Sequence, residues 1–133
     1  MRESLEGAVR LGRRMGHIFV ATADARGVPH MASSANIRIE GEGLIGISEW
    51  FCPVTLSNVR VNPKIALLAW DPETDIGYQM IGTCREVQET SMMNGFSEEL
   101  DEEQPIPQAE NTLLVSIEKI IQFSHAPHSD AGT

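Results

Sequence analysis

Three short clusters of turn-forming residues, Asp24-Ala-Arg-Gly27, Glu40-Gly-Glu-Gly43 and Asp71-Pro-Glu-Thr-Asp75, cut this chain into apolar runs. Connections this short join antiparallel strands, whereas a parallel pair needs a crossover of about a dozen residues or more, usually a helix. The runs read as strands over residues 17–23, 30–40, 44–48, 65–70, 76–88 and 111–123. Residues 65–70, Ile-Ala-Leu-Leu-Ala-Trp, are apolar without a break, the pattern of a strand covered on both faces. Gly82 interrupts the fifth strand and predicts a bulge, a bend or the close approach of another group. The expected fold is therefore mainly β, a six-stranded antiparallel sheet closed into a barrel with short flanking helices.

Leu5, Ala8, Val9 and Leu11 recur at helical spacing within residues 3–15, a thin apolar stripe stopped by Gly16. That helix is expected to lie across the end of the barrel. Residues 89–101 have weak helical character, and the acidic string from Glu98 to Glu103 runs into Pro105 and Pro107, predicting a solvated helix followed by a loop. Residues 1–124 form one expected domain, and 125–133 a loose polar tail.

A chain of 133 residues can bury a core without staples. Its net charge of −9 argues against nucleic acid or an anionic membrane as a partner. No run approaches the roughly 18 apolar residues of a membrane span, and no signal-peptide region follows the N-terminus, so the expected location is the cytoplasm. Cys52 and Cys84 lack a Cys-x-x-Cys spacing and read as free thiols. No metal site is expected, since His125 and His128 flank a proline in the tail and His17 and His30 read as satisfied or exposed. Gly-x-Gly-x-x-Gly and the phosphate loop are both absent, and no catalytic triad is legible.

Residues 50–66 carry the chemistry. They read as a strand end, a short helix opened by Pro53 and the start of the next strand. Proline suits the first helical position because its missing N–H has no helical partner to lose. Thr55 then falls in the first turn, where a hydroxyl beside unpaired backbone N–H groups attracts anions, phosphate above all. Cys52, just before the helix, reads as a structural thiol or as one made reactive by the helix dipole. In the strand expected over 30–40, simple alternation puts Ser34, Asn36 and Arg38 on one face. That row suits a polar ligand bearing a phosphate, or a solvated outer face.

The order Phe19-Val-Ala-Thr-Ala-Asp-Ala-Arg-Gly-Val-Pro-His30, a polar strand, Thr55-x-x-Asn58 and Asn62-Pro63 before an apolar strand resembles the FMN-binding split β-barrel family related to pyridoxamine 5′-phosphate oxidase. The resemblance spans residues 17–88 and is greatest to the small single-domain members. It implies a homodimer with FMN at the subunit interface and hydride or electron transfer through the flavin, from a reduced nicotinamide or another donor. Thr55 matches the threonine of a Lys-Thr pair that holds the phosphate, while the lysine position is Val54. The departure removes a charge-assisted contact, and Arg38 is the nearest replacement, ahead of Arg60 near the helix end. Ser34 and Asn36 match flavin-contacting strand positions, Ser48, Glu49 and Trp50 the segment edging the ring system, and Gln79 a position near the ring. Trp50 also reads as plain core or interface, and Gln79 as a surface strand residue. Pyridoxamine-phosphate oxidation itself is disfavoured, because basic residues for a second phosphorylated ligand are lacking. A non-catalytic FMN carrier, or a barrel that has lost flavin and serves as a binding domain, are the alternatives.

Overall fold

The computed structural model describes residues 1–49, 52–90 and 110–126. Helix α1 spans Arg2–Met15 and is stopped by Gly16, whose φ of 82° turns the chain and lets its N–H reach the Gly12 carbonyl at 3.0 Å. Seven strands follow among the described residues, interrupted by one further helix: β1 Ile18–Ala23, β2 Pro29–Ser34, β3 Asn36–Gly41, β4 Leu44–Glu49, α2 Pro53–Val61, β5 Lys64–Asp71, β6 Ile76–Thr90 and β7 Glu110–Phe123. All pairings are antiparallel, in the order β2-β1-β5-β6-β7-β4-β3. No helix among these residues is long and apolar enough to cross a membrane.

The turns form where their chemistry placed them. Asp24 Oδ1 accepts from the N–H groups of Arg26 at 2.8 Å and Val28 at 2.9 Å, closing the β1–β2 hairpin with its own side chain. The strand count differs from the expected six because the segment 30–40 is two strands, broken at Ala35. β2 pairs with β1, but β3 pairs with β4 at the other end of the sheet. Two consecutive strands thus occupy the two ends of the order, and the sheet must curl to accommodate them. Gly12 registers that curl: a Cβ there would lie 2.8 Å from Ile18 on β1, 3.2 Å from Ile37 on β3 and 3.8 Å from Ala69 on β5.

The inward positions fill the core. Ile18 and Val20 of β1, Ile37 of β3, Ile45 and Ile47 of β4, Leu67 of β5, Met80 of β6, and Leu113 and Val115 of β7 are buried almost completely. Each such side chain contributes about 1.5–3 kcal/mol of transfer free energy. The buried stripe of α1, Leu5, Ala8, Val9 and Leu11, covers this core as its spacing predicts. β5 departs from the expectation of burial on both faces: Ile65, Leu67, Ala69 and Asp71 are buried, and the residues between them are only half-buried. At Gly82 the β6–β7 register shifts, and a Cβ would run into the Ser116 carbonyl, so the glycine marks a bulge and a close backbone approach together. Residues 89 and 90 continue β6 against Asn111 and Glu110, where a helix was expected. The remainder of that expected helix, the acidic string and most of the tail lie outside the described residues.

Candidate functional site

Helix α2 begins at Pro53 after Cys52, with no side-chain cap and with Leu56 N–H as its first helical donor, 3.1 Å from the Cys52 carbonyl. The N–H groups of Val54 and Thr55 precede that bond and have no helical acceptor. Thr55 is fully buried, and its Oγ1 has no hydrogen-bond partner among the described residues. A hydroxyl held out of water without a partner is costly, and one placed beside free helix N–H groups fits a phosphate-bearing ligand in donor chemistry. One turn on, Asn58 donates to Thr22 Oγ1 at 3.0 Å, a buried bond that anchors α2 to β1. Asn58 thus holds the helix in place, a role that its position in the Thr55-x-x-Asn58 motif does not by itself reveal.

The bend at Ala35 reorganises the expected polar row. Ser34 pairs with the inward-facing Ile18 and is buried, its hydroxyl donating to the Ser48 carbonyl. Asn36 and Arg38 alternate with the inward Ile37 and are exposed on the outer face. Ser34 therefore does not share a face with them, because alternation cannot run through a residue at which the chain changes partners. The structure does bring Ser34, Asn36 and Ser48 together at one corner, since Asn36 is the register partner of Ser48. Glu49 closes β4 opposite Asn111, and Trp50 lies outside the described residues.

Arg38 stands across from Gly46, and its Nε pairs with the Glu40 carboxylate two residues along the same strand face. The carboxylate lies over Gly46, where a Cβ would be 2.8 Å from Glu40 Oε2. The cation expected to replace the missing lysine is thus already partnered. Opposite charges two residues apart on one strand face are the sequence signal for this pair. Gln79 is half-buried on the outer face, in a cross-sheet row of Phe19, Leu68, Gln79 and Ile121.

The cysteines and histidines add little chemistry. Burial pushes the Cys84 thiol above its ordinary pKa, which keeps it protonated and inert. The His125 N–H donates to Asp75 Oδ1 at 2.6 Å, and Trp70 Nε1 donates to the same oxygen at 3.0 Å. His128 lies outside the described residues. No group of three metal-ligating side chains occurs among the described residues.

No family model matches the chain. An uncharacterised protein of Methanocaldococcus jannaschii is 30% identical over 118 residues, covering 86% of this chain and 76% of that protein. Among solved structures, an FMN-binding protein from Syntrophomonas wolfei superposes with a TM-score of 0.69 at 19% identity, covering 92% of this chain and 88% of that one. A protein of the pyridoxinephosphate oxidase family from Clostridium acetobutylicum gives 0.62 at 16% identity, covering 94% and 91%. HutZ, the haem storage protein from Vibrio cholerae, gives 0.56 at 13% identity, covering 90% and 92%.

Proposed function

We propose that this chain, whose fold is that of the split β-barrels related to pyridoxamine 5′-phosphate oxidase, binds FMN and acts as a flavin-dependent oxidoreductase. The observation that carries this reading is the buried, partnerless hydroxyl of Thr55 at the start of α2. A phosphate accepting from that hydroxyl and from the Val54 and Thr55 N–H groups satisfies three donors at once. Ser34, Asn36, Ser48, Glu49, Trp50 and Gln79 are the proposed contacts of the rest of the cofactor, with Arg38 supplying positive charge. FMN, when bound, supplies the hydride or electron chemistry, and the chain's part is to place it and exclude water.

The functional unit in this reading is a homodimer with flavin between the subunits. Supporting it, the outward row Phe19, Leu68, Gln79 and Ile121 is largely apolar on a sheet face no described helix of this chain covers, which a second copy would bury. A second reading has its own support. Val54 replaces the lysine, and Arg38 is paired with Glu40, so the phosphate meets less positive charge than in the family pattern. That balance favours a non-catalytic flavin carrier with modest affinity.

Titration of purified protein with FMN, followed by flavin absorbance and sedimentation velocity, tests both readings. The expected result is saturation at or below tens of micromolar, about 6 kcal/mol, with one flavin per chain in a dimeric species. Arg38→Ala is expected to weaken binding about tenfold. Stimulated oxidation of a reduced nicotinamide by the complex favours the oxidoreductase, and binding without turnover favours the carrier. Failure of the wild type to bind FMN in this range would exclude both.

A further inference from the structure

We propose that a cavity between α1 and the start of β6, separate from the α2 site, binds a compact organic anion: a phosphate ester or carboxylate carrying one small apolar group. The cavity is an open surface groove of about 200 Å³, lined by Gly7, Arg10, Leu11, Arg14, Ile76 and Tyr78. Arg10 and Arg14 are one helical turn apart on the same face of α1, so both guanidinium groups border the same space. Arg14 is engaged, its Nη1 lying 3.5 Å from Oδ2 of the buried Asp71. Arg10 is exposed and has no ion-pair or hydrogen-bond partner among the described residues. The Tyr78 hydroxyl likewise has no hydrogen-bond partner among them. An uncommitted guanidinium and an uncommitted phenol thus share one cavity on a chain whose net charge is −9.

Gly7 explains how the phenol comes to be there. Glycine is a poor residue for a helix interior, because it loses the most backbone freedom on folding. Here a Cβ would lie 2.9 Å from the Tyr78 hydroxyl oxygen, so any larger residue displaces the ring. Glycine at this position keeps the phenol against the helix, within the same cavity as Arg10. The exposed Ile76, with the edge of the buried Leu11, gives the groove a small apolar flank. Its volume is below the roughly 300–1,000 Å³ of pockets for drug-sized ligands, so the occupant is small. A charged head on Arg10 and Tyr78 with a short apolar body against Ile76 is the arrangement that uses all of these groups.

The test is a titration of isotope-labelled full-length protein with phenyl phosphate, read by amide chemical shifts. The expected result is saturable shifts centred on residues 7–14 and 76–78, unchanged by added FMN. Inorganic phosphate is expected to bind more weakly, for want of the apolar body. Arg10→Gln, at an exposed position that leaves the fold intact, should weaken phenyl phosphate about tenfold, the loss of one charge-assisted contact. Gly7→Ala should also weaken it by moving Tyr78. Wild-type affinity in Arg10→Gln, equal affinity for the two phosphates, or shifts that never saturate would each overturn the proposal. Because the readout lies at α1 and β6, it is independent of whether FMN binds at α2.

Discussion

At Thr55 a hydroxyl has been withdrawn from water without gaining a partner among the described residues. Such a group costs about 1–3 kcal/mol relative to an apolar isostere, and threonine and valine have nearly the same shape. Thr55→Val is therefore expected to stabilise the ligand-free protein by about 1 kcal/mol, a rise in Tm of roughly 3–5 °C for a domain of this size. The same substitution is expected to weaken FMN binding about tenfold, since the hydroxyl then has nothing to donate. Thermal melts and flavin titrations on one pair of proteins measure both signs, and a Thr55→Val protein no more stable than wild type would mean the hydroxyl is satisfied. Sequence alone identified Thr55 as a first-turn hydroxyl, because helix starts are marked by local chemistry. It gave no sign that Arg38 is partnered, because that depends on where Glu40 lies over the bare backbone of Gly46.

Among the elements, the bend at Ala35 and the bulge at Gly82 decide the shape. Gly82 was legible, since an isolated glycine in a long strand pattern has few other uses. Replacing it with alanine sets a methyl group against the Ser116 carbonyl, where backbone and not a movable side chain must give way. Gly82→Ala is expected to cost about 3 kcal/mol, seen as a lower urea midpoint at unchanged slope. The bend was not legible. Ser33, Ser34, Ala35 and Asn36 carry neither glycine nor proline, and an alternating strand runs through them as easily as a corner. What breaks the strand is a change of partner from β1 to β4, a long-range property with no local mark.

Over the whole molecule, carboxylates tie distant segments together. Asp75 joins the β5–β6 turn to the end of β7, its pKa lowered first by the His125 backbone N–H and then by the Trp70 indole. Asp71 is lowered mainly by the Glu73 N–H, and Glu118 by the Thr83 hydroxyl and Lys64. Carboxylates whose folded pKa lies below the unfolded value, near 4, contribute stability that is full above that value and is lost as pH falls through the folded one. The Tm is accordingly expected to hold between pH 7 and 5 and to drop below about pH 4. Asp75→Asn should shallow that drop: its amide oxygen can still accept both bonds, and asparagine tolerates the φ of 60° found there. Melts at pH 7, 5 and 3 on the two proteins check this, and parallel acid curves would remove Asp75 from the account.

The amino-acid sequence by itself determined the antiparallel β architecture, the two helices of the described chain and the family resemblance. These rest on turn chemistry, apolar spacing and a proline at a helix start, all of which act within a few residues. Tertiary structure decided which polar groups meet. It buried Ser34 away from Asn36 and Arg38, paired Arg38 with Glu40, left Thr55 without a partner and set Tyr78 beside Arg10. Those outcomes depend on how a seven-strand sheet curls and on which ends its consecutive strands occupy, and no local pattern encodes that geometry.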